Sequence, residues 1–125
     1  MSKSPPPQPT DGELAILQVL WQRGPSTVRH VLDQMDRGTK YTTVLKLLQI
    51  MMEKELVRRD ESERTHVYAA ALPAQTTQRQ LLRNLLDKAF AGSASQLVLQ
   101  ALSARRATPE ELQEIRKLLD EHEGK

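Results

Sequence analysis

The feature of this 125-residue chain that most constrains its fold is a change of hydrophobic period near residue 56. Before that point, apolar residues recur at every third or fourth position, which is the spacing of amphipathic helices. Residues 56–60 and 65–69 instead have the short apolar runs of strands, and the polar residues 61–64 between them predict a tight connection. The chain is therefore expected to fold as helices followed by a β-hairpin.

The first helix is predicted to begin at Thr10, because Thr10 and Glu13 have the spacing of a capping box. It is predicted to end at Gly24-Pro25, since this pair does not continue a helix. Trp21 lies on its apolar side and is expected to pack in the core rather than to stack on a base. The apolar stripe consists of Leu14, Leu17 and Trp21, with Ile16 and Leu20 beside it.

Two further helices are predicted before the hairpin. Ser26 or Thr27 caps the second helix, and Gly38 ends it. The third helix begins between Thr39 and Tyr41 and runs to about residue 55. The apolar positions of the two helices are Val28, Val31, Leu32, Met35, Val44, Leu47, Leu48 and Met51.

The predicted fold class is mainly α, a winged helix-turn-helix of three helices plus a two-stranded β wing, followed by an α-helical dimerisation domain. This is the element order of a fold in which the third helix is offered to DNA. The expected domains are a disordered tail at 1–9, a winged-helix DNA-binding domain at 10–72 and a helical dimerisation domain at 73–125. In the tail, PPPQP is expected to be a solvated leader, although it also fits a ligand for a proline-binding groove.

Three more amphipathic helices are predicted after Pro73, separated by breaks at Gly92-Ser93 and before Thr108, which opens a capping box. Helices this short cannot close a core alone, so their apolar faces need a cover, and a symmetric second copy is the economical one. The residues predicted to form the dimer surface are Leu82, Leu85, Leu86, Phe90, Leu97, Val98, Leu112, Ile115 and Leu119.

The composition excludes several classes of protein. Eighteen Lys and Arg residues against sixteen Asp and Glu residues leave a net charge of +2, which disfavours a binding role based on bulk positive charge. The absence of Cys excludes a disulfide scaffold, a thiolate metal site and a cysteine nucleophile. No apolar run approaches the roughly 18 residues of a membrane span, and no signal peptide is recognised, so a soluble, cytoplasmic protein is expected.

Catalytic motifs are not found in the sequence. His30, His66 and His122 are scattered, and there is no HExxH pair, Gly-rich phosphate loop or GxSxG elbow. A metal site made of His122 with Glu121 and Glu123 is disfavoured, because adjacent helical positions point in different directions. Neither an enzymatic activity nor a cofactor is therefore expected.

The third predicted helix carries most of the residues expected to bind DNA. Lys40 and Lys46 can reach phosphates, while Thr42 and Thr43 can meet base edges or a thymine methyl group. Residues 37–52 include no acidic side chain that would repel DNA. In the alternative interpretation, the two threonines only cap the helix and Lys46 is solvated.

Tyr41 and the hairpin are each open to two interpretations. Tyr41 either faces the DNA backbone or packs as a staple at the start of the third helix. Arg64, near the tip of the hairpin, either enters the minor groove or belongs to a solvated loop whose acidic residues balance the arginines.

The sequence resembles the BlaI/MecI penicillinase-repressor family of winged-helix transcriptional regulators. The similar segments are 10–21 (TDGELAILQVLW), 41–44 (YTTV), 55–59 (ELVRR), Tyr68 and 108–120 (TPEELQEIRKLLD). The resemblance therefore extends over nearly all of the chain after residue 9.

The resemblance implies a homodimeric repressor that occludes promoters, with each winged helix on one half of an inverted-repeat operator in double-stranded DNA. By position it assigns DNA contacts to Thr42 and Thr43, places Lys46 on the same face, and matches Arg64 to the wing. In the best-studied members, a membrane-bound zinc-metalloprotease sensor of the BlaR class triggers cleavage at an Asn-Phe pair in the second tail helix. The aligned pair here is Gln100-Ala101.

The residues alone are also compatible with two other functions. The first is a protein-interaction module, in which the winged helix does not touch DNA and the Leu-rich tail recruits a larger partner. The second is an effector sensor with a cavity in the tail, but no cluster of residues in the sequence supports it. Salt dependence separates DNA binding from an apolar interface, because only phosphate contacts release counterions.

Overall fold

The computed structural model describes residues 8–124, which form six helices and one two-stranded antiparallel sheet. The predicted tail at 1–9 lies outside the described residues except for Gln8 and Pro9. The mainly helical fold class, with three helices before the hairpin and three after it, is confirmed. The elements are α1 (Asp11–Arg23), α2 (Val28–Asp33), α3 (Tyr41–Glu53), β1 (Val57–Asp60), β2 (Val67–Ala70), α4 (Ala74–Ala89), α5 (Ala94–Ala104) and α6 (Pro109–Glu123).

The chain divides into two compact units, of which the first ends at Leu81 and the second begins at Leu82. The limits of the DNA-binding and dimerisation domains, 10–72 and 73–125, concern function and stay a prediction. Within residues 8–124, no helix is both long enough and apolar enough to cross a membrane.

Helix α1 begins and ends where the sequence predicted. The Thr10 side chain accepts a hydrogen bond from the Glu13 backbone N–H, and the Glu13 carboxylate accepts one from the Thr10 N–H at 2.9 Å. Gly24 ends the helix with φ +84°, a left-handed conformation that glycine adopts without strain.

The buried face of α1 is rotated from the predicted stripe. Glu13, Ile16, Leu17 and Leu20 are buried, whereas Leu14 and Trp21 are only half-buried. The Glu13 carboxylate is paired inside the fold, so the buried i, i+3, i+4, i+7 face begins at that residue rather than at Leu14. Trp21 lies at the edge of the core and donates its indole N–H to the Leu72 carbonyl at 3.0 Å.

Helix α2 is shorter than predicted. Thr27, rather than Ser26, caps it, since the Thr27 hydroxyl accepts the His30 backbone N–H at 3.1 Å. The helix ends at Asp33 instead of continuing to Gly38. Its last turn tightens, because the N–H of Met35 bonds the Leu32 carbonyl, three residues back, at 3.0 Å.

Helix α3 also ends slightly early, at Glu53 rather than near residue 55. Glu55 has φ +61°, which is incompatible with a continuing right-handed helix. Val44, Leu48 and Met51 are buried as predicted, and Leu47 is half-buried against the core.

The core of the first unit lies between α1, α2, α3 and the hairpin. Arg59 of β1 stands opposite Tyr68 of β2, and Tyr68 is buried as expected. Ser26 and Tyr68 exchange two backbone hydrogen bonds, at 2.9 and 2.7 Å, which attach the segment before α2 to the hairpin. The buried apolar residues are Ile16, Leu17, Val19, Leu20, Val28, Val31, Val44, Leu48, Met51, Leu56, Val57 and Tyr68.

In the second unit, the helix boundaries follow the local signals in the sequence. Ser93 caps α5, and a complete capping box between Thr108 and Glu111 opens α6. No residue of α5 or α6 is buried among the described residues. The exposed large apolar side chains of the two helices and of the second half of α4 are Leu82, Leu85, Val98, Leu99, Leu102, Leu118 and Leu119.

Candidate nucleic-acid interface

The face of α3 opposite the core is polar and exposed. Val44, Leu48 and Met51 pack into the core, so the helix turns Thr43 and Lys46 to the other side. Five predicted site residues share this exposed surface, which begins at the helix N-terminus. They are Lys40, Tyr41, Thr42, Thr43 and Lys46.

The start of α3 is not capped by a side chain. Lys40 is the N-cap residue and makes no side-chain capping hydrogen bond. The interpretation of Thr42 and Thr43 as capping residues is therefore wrong, because both lie inside the first turn, where their side chains are exposed. An uncapped N-terminus carries partial positive charge that favours an anion.

Tyr41 is exposed to 44% and does not act as a staple into the core. The guanidinium carbon of Arg29, on α2, lies 5.5 Å from the centroid of its ring. This is a cation–π contact, in which the face of the aromatic ring attracts the positive charge. Sequence reasoning did not single out Arg29, because the contact joins two helices.

A cleft of about 330 Å³ brings α2, α3 and the hairpin connection together. Its polar lining residues are Thr27, Arg29, Tyr41, Arg64, Thr65 and His66. Arg64 of the predicted wing and Tyr41 of the third helix, which were predicted separately, thus belong to one site. No acidic residue is found in the lining of this cleft.

Two of the three acidic residues of the hairpin, Asp60 and Glu61, are engaged by neighbours other than Arg64. Glu61 lies 3.4 Å from the Arg59 guanidinium and 3.6 Å from the His66 ring nitrogen. Asp60 accepts the Ser62 backbone N–H at 2.9 Å, and this bond lowers the pKa of its carboxyl group. Arg64 makes no ion pair with any of the residues that the structure describes.

Glu13 is a buried acid whose role the sequence did not reveal. Its two carboxylate oxygens lie 2.8 and 3.0 Å from the Lys54 ammonium group, and its side chain is 2% exposed. Burial raises the pKa of Glu13, but the hydrogen bonds from Lys54 and Thr10 and the Lys54 charge outweigh it and lower the pKa overall. The pair holds the end of α3 against the start of α1.

The predicted dimerisation residues form an exposed group and a half-buried group. Leu82, Leu85, Val98 and Leu119 are exposed, whereas Leu86, Phe90, Leu97, Leu112 and Ile115 are half-buried within the single chain. Leu99, which was not on the predicted list, is 59% exposed.

The pair Gln100-Ala101, aligned with the family's cleavage site, lies inside α5 with both side chains exposed. Its backbone is helical, whereas proteases bind extended segments. Across residues 8–124, no group of three His, Asp or Glu side chains is arranged to hold a metal ion.

Two comparisons with known proteins, one with a family model and one with a curated sequence, name the same family. A family model described as "Penicillinase repressor" matches residues 9–121. The penicillinase repressor of Bacillus licheniformis is 21% identical over 121 residues, which are 95% of this chain and 94% of that protein. The crystal structure of M. tuberculosis Rv0081 matches with a TM-score of 0.49 and 18% identity, over 66% of this chain and 81% of that one.

Proposed function

The chain belongs to the penicillinase repressor family, and from this premise we propose that it is a homodimer that binds an inverted-repeat operator and occludes a promoter. Membership of the family makes it a transcriptional regulator of the repressor type, and it confirms the resemblance found in the sequence. The operator, the dimer and the way repression is relieved are the proposal.

The observation that carries the proposal is the exposed surface of α3 beside Arg64. The face contains two cations, Lys40 and Lys46, and two hydroxyls, Thr42 and Thr43, with no acidic residue between 37 and 52. In a winged helix this end of the third helix enters the major groove. The lysines then contact phosphates, and the threonines contact base edges.

The near balance of charge makes geometry important for this repressor. With a net charge of +2, the chain has little long-range attraction for DNA, so non-specific binding is weak. Selection of one site then depends on base contacts and on two half-sites bound together at a spacing of about one helical turn or slightly more.

The second unit supports a dimer. Its exposed leucines and valine would be costly to leave in water, and α5 has no charged residue at all. A helix that is apolar on more than one side fits the centre of an assembly better than a surface. A second copy of this chain presents the same apolar residues and can cover them symmetrically.

The proposal includes relief of repression by proteolytic cleavage between Gln100 and Ala101. Cleavage there would divide α5 and disrupt the interface between the two copies. Each subunit would then bind its half-site without a tethered second copy. Because the pair is helical, α5 must unwind locally before a protease can bind it. A membrane-bound metalloprotease sensor of the BlaR class is the proposed partner for this step.

The decisive experiment is a titration of the purified protein against labelled DNA from immediately upstream of its own gene. Anisotropy is followed at two salt concentrations, with unrelated duplex as competitor. Nanomolar, competitor-resistant binding by two subunits per duplex supports the repressor. If the protein binds both duplexes equally weakly, bound fragments are selected from the whole genome. Failure to recover any bound fragment favours the protein-interaction module.

A further inference from the structure

We propose that the cleft between α2, α3 and the hairpin binds one backbone phosphate of the operator duplex, with Arg29 and Arg64 as its two cationic ligands. Tyr41 orients Arg29 for this contact. The proposal rests on the proposed DNA-binding function and extends the interface from the face of α3 to α2, where the sequence indicated no DNA contact.

The charge of the cleft favours an anion. Arg29 and Arg64 line it from different elements, and neither makes an ion pair with a carboxylate among the residues described. Glu61, which is not part of the lining, is held by Arg59 and His66. Two arginines that make no ion pair and line one concave site attract an anion that bridges them.

The contact between Arg29 and Tyr41 prepares the guanidinium group for binding. With its carbon 5.5 Å from the ring centroid, the group rests against the aromatic face. Stacking of this kind restricts the long side chain and leaves N–H groups at the guanidinium edge for phosphate oxygens. Less conformational freedom is then lost when the phosphate binds.

The position of the cleft identifies DNA as the source of the phosphate. Tyr41 belongs both to the cleft and to the first turn of α3, directly before Thr42 and Thr43. A duplex whose base edges meet those threonines carries its phosphates along the rim of the same groove. The hydroxyls of Thr27 and Thr65 in the lining can donate further hydrogen bonds to phosphate oxygens.

The test compares the variant Arg29→Gln with the variant Arg116→Gln, which removes the same charge from the exposed face of α6. The affinity of both variants is measured for a labelled duplex. This duplex is first recovered by selecting DNA fragments that the wild-type protein retains. In R29Q, the magnitude of the slope of log affinity against log salt is expected to fall by up to about 1.8, because each of the two subunits loses one cation at its phosphate and a full phosphate contact contributes about 0.9. In R116Q the slope is expected to be unchanged. Equal thermal unfolding of the two variants shows that folding is intact.

A second measurement identifies the phosphate itself. Single phosphates of the duplex are replaced by uncharged methylphosphonates, one position at a time. One replacement is expected to weaken binding of the wild-type protein and of R116Q more than binding of R29Q, which keeps only Arg64 at that phosphate. Such non-additivity shows that Arg29 and that phosphate are in contact.

The outcomes separate the site from the function it depends on. If the wild-type protein recovers no duplex and shows no salt-dependent DNA binding, the proposed function fails. If the wild-type protein binds but R29Q keeps the slope of R116Q and every replacement is additive, the phosphate site is overturned and the repressor stands. Binding of inorganic phosphate that R29Q abolishes, together with an unchanged DNA slope, assigns the cleft to a free anion and also overturns it.

Discussion

Lys54, directly after α3, donates hydrogen bonds to both carboxylate oxygens of Glu13, near the start of α1, at 2.8 and 3.0 Å. Glu13 also completes the capping box with Thr10. One buried carboxylate therefore caps the start of α1 and also links α1 to the residue that follows α3. The residues stand 41 positions apart in the sequence. The pair therefore joins the end of α3 to the start of α1, and α3 carries the exposed face proposed to bind DNA.

Replacing Lys54 by methionine is expected to destabilise the protein by about 3 kcal/mol, since it leaves a buried carboxylate without its counterion. Urea unfolding measures the change. The matched control is Lys46→Met on the exposed face of α3, for which a change within about 0.5 kcal/mol is expected. Equal stability of the two variants would show that the Glu13 pair contributes nothing.

The stabilising effect of Glu13 is expected to depend on pH. Because its folded-state pKa lies below the ordinary value of 4.5, its contribution is present above that value and is lost as the pH falls through the folded pKa. The free energy of unfolding of the wild type and of Glu13→Gln is compared from neutral to acidic pH. The difference should shrink on acidification, and a constant difference would contradict the lowered pKa.

The double variant Thr43→Ala, Lys46→Ala is expected to abolish specific operator binding and leave the dimer intact. It removes one base contact, worth about 1–3 kcal/mol, and one phosphate contact. Anisotropy measures binding, and light scattering measures the mass. Lys117→Ala in α6 is the control for the lost charge, and unchanged affinity of the double variant would remove α3 from the interface.

Replacing Leu112 and Ile115 by aspartate is expected to convert the dimer to a monomer, because charges are then placed in an apolar interface. Operator affinity should fall as well, since each half-site is bound without a tethered second copy. Both residues are half-buried, so Leu119→Asp, at a position 57% exposed, is a second variant less dependent on the fold of the protomer. Light scattering that still gives a dimer for both variants would place the surface elsewhere.

Local signals in the sequence predicted much of the fold. The capping boxes at Thr10 and Thr108 marked the starts of α1 and α6, because the hydrogen bonds that form them join residues three positions apart. The change of period near residue 56 predicted the hairpin, since alternation and helical spacing are properties of a short segment. The exposed face of α3 followed from the same spacing.

Other features depended on contacts between distant segments. The sequence left Ser26 and Thr27 as equal candidates for the cap of α2, and only the pairing of Ser26 with Tyr68 decided between them. The capping-box spacing of Glu13 did not reveal that its carboxylate is buried beside Lys54.

The order of helices and strands, the apolar faces of the single helices and the family could be read from the sequence, because these follow from residues close together in the chain. Tertiary structure alone decided that Arg29, Tyr41 and Arg64 line one cleft and that Glu13 is buried. The physical reason is that burial and charge pairing depend on which surfaces meet in space. Side chains far apart in sequence acquire a shared environment only once the core has brought their elements together.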